Sequence, residues 1–324
     1  MKKLFLGMGV CTIAPFALAK PLVVTSVTPV SMIVAAITGD KADIEQIVSN
    51  SASPHDYALR PSDLRKISQA DAVVWVGESL ENFLEKPLVN ANKAEDSIEW
   101  LALEGTVQRR YGEEDEHHDD HDEHHDDHDH DEHHDEHDHD EHHDEHGHEG
   151  HDHSGVDPHV WLSPVNAKVL AQAVAQRLVK IDSDNAEYYE TNLSAFLQKL
   201  DQQDTQLAAK LSKVKQVPYI VFHDAYHYFE EHYGLNHAGE VTVSPERKPG
   251  AKKIAELRHE IEENNVQCVF SEPQFSPAIV KTLLSGSEVK TAQLDPLGSS
   301  VDIAPQAYFD FLEGLGDQFL SCLG

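Results

Sequence analysis

The chain has 324 residues, 40% of them hydrophobic, and a formal net charge of −33 with its 24 histidines neutral. So acidic a balance excludes the electrostatic attraction to phosphate on which nucleic-acid-binding proteins depend. Much of the charge is local, because residues 113–153 contain 22 of the 58 acidic residues and 17 of the histidines. Without that run the net charge is −11. The remaining roughly 280 residues suffice for two domains of ordinary size.

The first 19 residues have the features of an export signal. Two lysines precede an apolar segment over residues 4–18, and the sequence Ala-Leu-Ala that ends at Ala19 fits the rule for signal cleavage. We expect the mature chain to begin at Lys20 and Cys11 to be removed with the signal. A retained membrane anchor is the alternative, but the apolar segment is short for a bilayer span.

Short apolar strands alternate with amphipathic helices in the first part of the chain. The predicted strands are PLVVTSV, ADIEQIV, DAVVWVG and SIEWLAL, and the predicted helices are PVSMIVAAITG, PSDLRKISQA and residues 79–92. Gly39 is expected to end the first helix, and Ser62 to cap the second. Such alternation predicts a parallel sheet covered by helices.

The part of the chain after the acidic run repeats this pattern. Its predicted strands are PYIVFHD, HAGEVTV, VQCVFSEP and KTAQLD, and its predicted helices are residues 225–233, 250–264, 277–285 and a last one from 305. The sequence therefore predicts an α/β protein of two lobes, each with a central, mainly parallel sheet flanked by helices.

Residues 182–216 lie between the two patterns and contain neither proline nor glycine. Their apolar residues recur at helical spacing, which predicts one rigid helix of up to about seven turns that joins the lobes. A surface helix that belongs to one lobe is the alternative. The predicted organisation is a signal peptide (1–19), an N-terminal α/β lobe (20–181) that includes the run 113–153, a linking helix (182–216) and a C-terminal α/β lobe (217–324).

Two cysteines remain after the signal is removed. Cys268 lies in a predicted buried strand and Cys322 in the last helix. Because disulfides persist in exported proteins, we predict a bond between them. Two buried free thiols are the alternative.

Three histidines outside the acidic run follow predicted strands or open towards helices. His55 lies in SPHDYALRPSD, His159 in VDPHVWLSP and His223 in IVFHDAY. Ligands of open α/β sheets bind beyond the carboxyl ends of the strands, so these histidines together predict a metal site. Each one alone is more typical of an ordinary loop or hydrogen-bonding residue.

Asp295, in AQLDPLG, also ends a predicted strand. Its carboxylate is a candidate fourth ligand, and three imidazoles with one oxygen suit zinc, whereas manganese favours more carboxylates. The alternative is a strand-exit turn in which this carboxylate accepts hydrogen bonds from backbone amides. His227 lies one helical turn after the third histidine and is a candidate supporting or spare ligand. His232, His237 and His259 have no comparable placement.

The run 113–153 repeats the units HHDDHDHDE, HHDEHDHDE and HHDEHGHEG. It has too little apolar surface to offset chain entropy, so we predict disorder without metal. Each ion bound there must order several residues, so its sites should be weaker than a preformed cleft and act as a reservoir. A solvated spacer is the alternative. The candidate weak ligands are His117, His118, His121, His124, His125, His128, His130, His133, His134, His137, His139, His142, His143, His146, His148, His151 and His153.

Several of these features, taken in chain order, resemble a known family. A signal peptide, PHDYALRPSD, the histidine-rich run, DPHVWLSP, FHDAY, SEPQF and LDPLG are similar to the metal-binding solute receptors (cluster A-I) of ABC importers, specifically the periplasmic zinc-uptake proteins of ZnuA type. The resemblance covers essentially the whole mature chain. It implies two lobes joined by a rigid helix, with the ion in the cleft between them.

The resemblance also implies a ligand set and a partner. His55, His159 and His223 would bind Zn²⁺, with Asp295 or a water as the fourth ligand, because Pro54 stands where some zinc receptors have a glutamate. A histidine at position 223 favours zinc over manganese. The implied protein is a periplasmic monomer that delivers zinc to a membrane permease of an ABC importer.

Other classes of protein remain as alternatives. They are a receptor for manganese or another divalent metal, a secreted metal-sequestering or adhesion protein, and a zinc-dependent hydrolase. HHDEH matches the protease-like pattern H-x-x-E-H at residues 133–137 and 142–146, but a repeat of three letters produces it by chance. The sequence contains neither H-E-x-x-H nor G-x-S-x-G, so we do not expect an enzyme.

Overall fold

The computed structural model describes residues 19–111, 155–242 and 248–324. The predicted signal segment up to residue 18 and the histidine-rich run lie outside the described residues, as does the prediction of disorder in that run. Within these ranges no helix is both long enough and apolar enough to cross a membrane.

The first sheet has four parallel strands in the order β2-β1-β3-β4. β1 and β3 lie inside the sheet and are continuous apolar runs, as expected where helices cover both faces. The edge strand β2 alternates between exposed and half-buried residues. The strands are β1 (Leu22–Thr25), β2 (Asp43–Gln46), β3 (Ala72–Trp75) and β4 (Ser97–Glu99), and the helices between them are α1 (Thr28–Thr38), α2 (Pro61–Gln69) and α3 (Glu78–Asn90).

Two helix boundaries test the predictions from sequence. α1 ends at Gly39, as predicted, with φ of 52° and the Gly39 amide donating to the carbonyl of Ala35. The predicted cap at Ser62 is wrong, because α2 begins one residue earlier, at Pro61. Proline suits the first position of a helix, where its missing N–H costs nothing. The Arg60 amide just before it donates to Asp63 Oδ2 at 2.9 Å.

The second sheet repeats the arrangement of the first. Its strands are parallel in the order β6-β5-β7-β8, so the first strand of each half lies between the second and the third. Two α/β lobes with parallel sheets are therefore confirmed. The elements are β5 (Tyr219–His223), α6 (His227–Tyr233), β6 (His237–Thr242), α7 (Ala251–Glu263), β7 (Cys268–Ser271), α8 (Ala278–Leu283), β8 (Lys290–Gln293) and α9 (Ala307–Leu323).

A 26-residue helix, α5 (Ala186–Leu211), follows α4 (Pro164–Ile181) and joins the two halves. It packs against α1 and α4 on one side and against α9 of the second half, which confirms the predicted long helix between lobes. Its ends fall inside the predicted range. α5 and α9 approach closely at Gly316, where a side chain would collide with Leu207. One apolar cluster extends from the first sheet through these helices to β5 and β7.

Cys268 and Cys322 form a disulfide with their Cα atoms 6.1 Å apart, as predicted. Both residues are buried, at the start of β7 and near the end of α9. The bond therefore attaches the last helix to the second sheet.

We expect the double variant Cys268→Ala/Cys322→Ala to lose stability. The bond spans 54 residues of sequence. Releasing a loop of that length from the unfolded chain costs about 4 kcal/mol in free energy of unfolding. Urea denaturation measures this loss, and a reductant should produce a similar loss in the parent chain but no further change in the variant. A loss of under about 1 kcal/mol would show that the bond adds little.

Candidate metal centre

Three imidazoles meet where the two lobes face each other. His55 follows β2 in the loop that leads to α2, His159 precedes a short 3-10 helix over Val160–Leu162, and His223 is the last residue of β5. Each offers a nitrogen atom, and the three nitrogen atoms lie within 4.8 Å of one another. The ring centroids are separated by 5.4 Å (55–159), 5.1 Å (55–223) and 5.0 Å (159–223). The structure thus brings together three residues far apart in the sequence.

Burial sets the protonation state of His159. His159 and His223 are 1% and 3% exposed, and His55 is half-buried at the mouth. Burial, with the neighbouring His223 and His227 rings, holds the pKa of His159 well below its ordinary value. This imidazole is therefore neutral at neutral pH, which is the form that binds metal ions.

A buried carboxylate orients His159. Asp157 Oδ1 accepts a hydrogen bond from the His159 amide at 3.0 Å and lies 2.7 Å from its Nδ1. A carboxylate at one ring nitrogen fixes the tautomer and directs the lone pair of the other nitrogen to a ligand. Burial raises the pKa of Asp157 to about 6, against the lowering effect of the His159 amide.

A second buried carboxylate, that of Glu272, lies close to His223. This residue follows β7 and is 3% exposed, and its Oε1 lies 3.7 Å from His223 Nδ1. The Tyr226 hydroxyl donates to the same oxygen at 3.1 Å. The motif SEPQF by itself indicates no role for Glu272. Its place at the carboxyl end of a strand, beside the strand of His223, was the available signal.

Asp295 lies near the cluster, but its oxygens do not belong to the group of atoms within 4.8 Å. Its Oδ1 accepts hydrogen bonds from Gln274 Nε2 at 2.9 Å and from the Leu297 amide at 3.2 Å. Its Oδ2 accepts from the amide and the hydroxyl of Ser299, both at 2.7 Å. These contacts are those of the strand-exit turn, the alternative that the sequence left open. His227 lies in a separate group with Glu230 and His237.

Apolar residues wall the cluster and join the lobes. Trp161, Phe275, Pro296 and Leu297 line the same cavity as the three imidazoles. Trp161 Nε1 donates to the carbonyl of Pro296 at 2.7 Å, and the Tyr308 hydroxyl donates to the carbonyl of Trp161 at 2.8 Å. Low polarity around the cluster strengthens its electrostatic interaction with a bound ion.

Two parallel α/β lobes, one long helix and buried imidazoles between the lobes define a metal-binding receptor. A family model described as zinc-uptake complex component A, periplasmic (ZnuA), matches residues 23–322. The chain therefore belongs to the ZnuA family.

Curated relatives agree over nearly the whole chain. High-affinity zinc uptake system protein ZnuA of Yersinia pestis is 37% identical over 331 residues, which cover 100% of this chain and 98% of that protein. The protein of the same name from Brucella abortus is 41% identical and covers 93% of this chain and 91% of its own length. The Haemophilus influenzae protein is 40% identical, with coverage of 100% and 99%.

Solved structures share the fold. A crystal structure of ZnuA has a TM-score of 0.74 at 24% identity and covers 94% of this chain and 100% of that one. A Zn(II)-bound mutant variant of AdcAII of Streptococcus pneumoniae has a TM-score of 0.71 at 25% identity, with coverage of 94% and 99%. The laminin-binding protein of Streptococcus agalactiae has a TM-score of 0.70 at 21% identity, with coverage of 94% and 100%.

A pair of tryptophan variants tests the contact between the lobes. Trp161→Phe removes the buried hydrogen bond to Pro296. Trp75→Phe removes an equal volume from β3, where the buried Trp75 Nε1 has no hydrogen-bond partner among the described residues. We expect Trp161→Phe to lower the free energy of unfolding by about 1–2 kcal/mol more than Trp75→Phe, as measured by urea denaturation. Equal losses would mean that the Trp161 bond contributes nothing to stability.

Proposed function

We propose that this protein is a periplasmic zinc receptor, which captures Zn²⁺ between its lobes and delivers it to the membrane permease of an ABC importer for high-affinity zinc uptake. The observation that carries the proposal is the set of three imidazoles with nitrogen atoms within 4.8 Å of one another. The names of the relatives support the same metal and the same task. The protein acts by binding and release, without catalysing a reaction.

We assign the zinc ligands to His55, His159 and His223, with a water as the fourth. The Asp295 carboxylate already accepts four hydrogen bonds, and Pro54 has no side-chain donor atom. Three nitrogen ligands and one oxygen suit the tetrahedral preference of zinc. Manganese prefers more oxygen ligands, so this donor set disfavours it.

The bound ion itself would hold the two lobes together. His55 and His159 come from the first lobe and His223 from the second, so the metal bonds cross the cleft. Release then requires the lobes to loosen when the receptor meets its permease, because a dry, closed site dissociates slowly. The packing of α5 against both lobes favours small tilts over wide opening.

The location and the histidine-rich run complete the proposal. The chain is exported with cleavage after Ala19 and works as a monomer in the periplasm, the compartment named for its family. The run 113–153 binds further zinc ions weakly and serves as a reservoir, because its many imidazoles suit zinc but its composition predicts no preformed site.

The His159→Ala variant tests the ligand set. A ligand that binds only the folded state stabilises it by about 2.7 kcal/mol at a free concentration 100 times the dissociation constant. We expect His159→Ala to abolish the rise in melting temperature that zinc produces at low concentrations, where only the tightest site is filled, measured for each variant with and without zinc. The run 113–153 should bind zinc in the folded and unfolded states alike, so it adds little to the shift.

His259→Ala is the matched control for that experiment. His259 is exposed and pairs with Glu263 on the surface of α7. This variant should keep the full zinc-dependent shift. A His159→Ala protein with an unchanged shift would contradict the ligand assignment.

Deletion of residues 113–153 tests the reservoir. We expect titration calorimetry to show that several weak zinc equivalents disappear and that the tightest one remains. A second variant with asparagine at all 17 histidines of the run keeps its length and carboxylates. It should lose the same weak equivalents if the imidazoles bind the ions. Loss of the tightest equivalent in either variant would contradict the separation of cleft and reservoir.

A further inference from the structure

We propose that the second lobe contains another divalent-cation site, formed by His227, Glu230 and His237. Each of the three offers one ligand atom, and these atoms lie within 4.8 Å of one another. His227 and Glu230 lie in the first turn of α6, and His237 is the first residue of β6. The centroids of the His227 and His237 rings are 5.5 Å apart.

One ring nitrogen of His237 forms a hydrogen bond, and the other faces a carboxylate. Its Nε2 donates to the carbonyl of Gly239 at 2.8 Å, while Nδ1 lies 3.5 Å from Glu230 Oε2. A hydrogen bond at one nitrogen fixes the tautomer that leaves a lone pair on the other. A lone pair that faces a carboxylate oxygen needs a cation between them, either a proton or a metal ion.

The carboxylate of Glu230 is buried and has one oxygen available to a cation. The residue is 4% exposed, and its Oε1 accepts a hydrogen bond from the Tyr219 hydroxyl at 2.8 Å. Its Oε2 has no hydrogen-bond partner among the described residues. A buried carboxylate oxygen without a partner is costly, and coordination to a cation removes that cost.

The surroundings of the cluster are negative. Asp224 Oδ1 lies 3.0 Å from His227 Nε2, and Glu240 lies on the same strand as His237. These carboxylates attract a divalent cation more strongly than a singly charged one, because the divalent cation carries twice the charge.

The donor set selects the class of ion. Two imidazole nitrogens and one carboxylate oxygen suit Zn²⁺, Cu²⁺ and Ni²⁺, whereas Ca²⁺ and Mg²⁺ require oxygen ligands. The His227 side chain is 34% exposed, so an ion can enter from solvent and keep water in its remaining positions. A site with three protein ligands and an open side should bind zinc more weakly than the cleft.

The site also lies where the histidine-rich run meets the described chain. The Arg109 amide donates to the Tyr228 hydroxyl at 3.0 Å, and this hydroxyl donates to the carbonyl of Asp157 at 2.9 Å. Arg109 also pairs with Glu231. Both flanks of the run 113–153 therefore contact α6, the helix that carries His227 and Glu230. Carboxylates concentrated in the adjoining run raise the local concentration of cations.

Histidine footprinting on the full-length chain tests the proposal residue by residue. Diethyl pyrocarbonate acylates accessible neutral imidazoles, and peptide mass spectrometry reports His227 separately from the histidines of the run. Zinc chloride alone is titrated, and we expect it to protect His227. In Glu230→Gln and His237→Gln the zinc concentration for half-protection should rise by roughly tenfold or more, since even supporting groups around a metal contribute that much.

His232→Gln is the matched control, because His232 lies on the same helix but pairs with Asp204 outside the cluster. It should leave the protection of His227 unchanged, and none of these variants should move the half-protection of His55. Melting temperatures without zinc identify any variant that is misfolded. If only one of Glu230→Gln and His237→Gln folds, that variant alone is enough for the test.

Anomalous scattering at the zinc edge should add a peak between Glu230 and His237. Absence of His227 protection, or protection equal in all variants, would overturn the proposal.

Discussion

The proximity of three imidazoles between two lobes is the constraint on which this structure depends. An imidazole binds a metal ion only in its neutral form, and at this site burial keeps His159 neutral. Asp157 hydrogen-bonds to one ring nitrogen of His159 and so fixes which nitrogen faces the cleft, and Glu272 lies close to His223. The rest of the fold brings these groups together, because His223 ends a strand of the second sheet and His55 and His159 occupy loops of the first lobe. The function follows from this arrangement more than from any single motif.

Much of the architecture could be predicted because it rests on local patterns. β1 and β3 are mostly apolar runs, Gly39 ends α1, and α5 contains neither proline nor glycine. The strands, the end of the first helix and the long helix can therefore be predicted directly from the sequence. The cap of α2 was predicted wrongly because Pro61 and Ser62 are both plausible near a helix start, and only the contact between Arg60 and Asp63 decides between them.

The site was less accessible from sequence, for a physical reason. The positions of His55, His159 and His223 near strand ends or helix starts predict that they gather, because ligands of α/β sheets bind beyond the carboxyl ends of strands, where loops of two lobes converge. The residues that contact each imidazole depend on side-chain packing, which cannot be inferred from the spacing of residues along the sequence. Glu272 therefore escaped notice, and Asp295 stayed ambiguous, because its four hydrogen bonds cannot be read from the sequence. His237 was set aside for the same reason, since its relation to Glu230 arises from the pairing of β6 with β5.

The disulfide has a consequence for the proposed export of the chain. Thiols remain reduced in the cytosol, so in that proposal Cys268 and Cys322 would join only after translocation. Until then β7 and α9 lack their covalent tie, and the second half of the polypeptide stays easier to unravel. A secretion channel that threads extended chains would meet less resistance from such a precursor, and oxidation on the far side of the membrane would then lock the finished molecule in place.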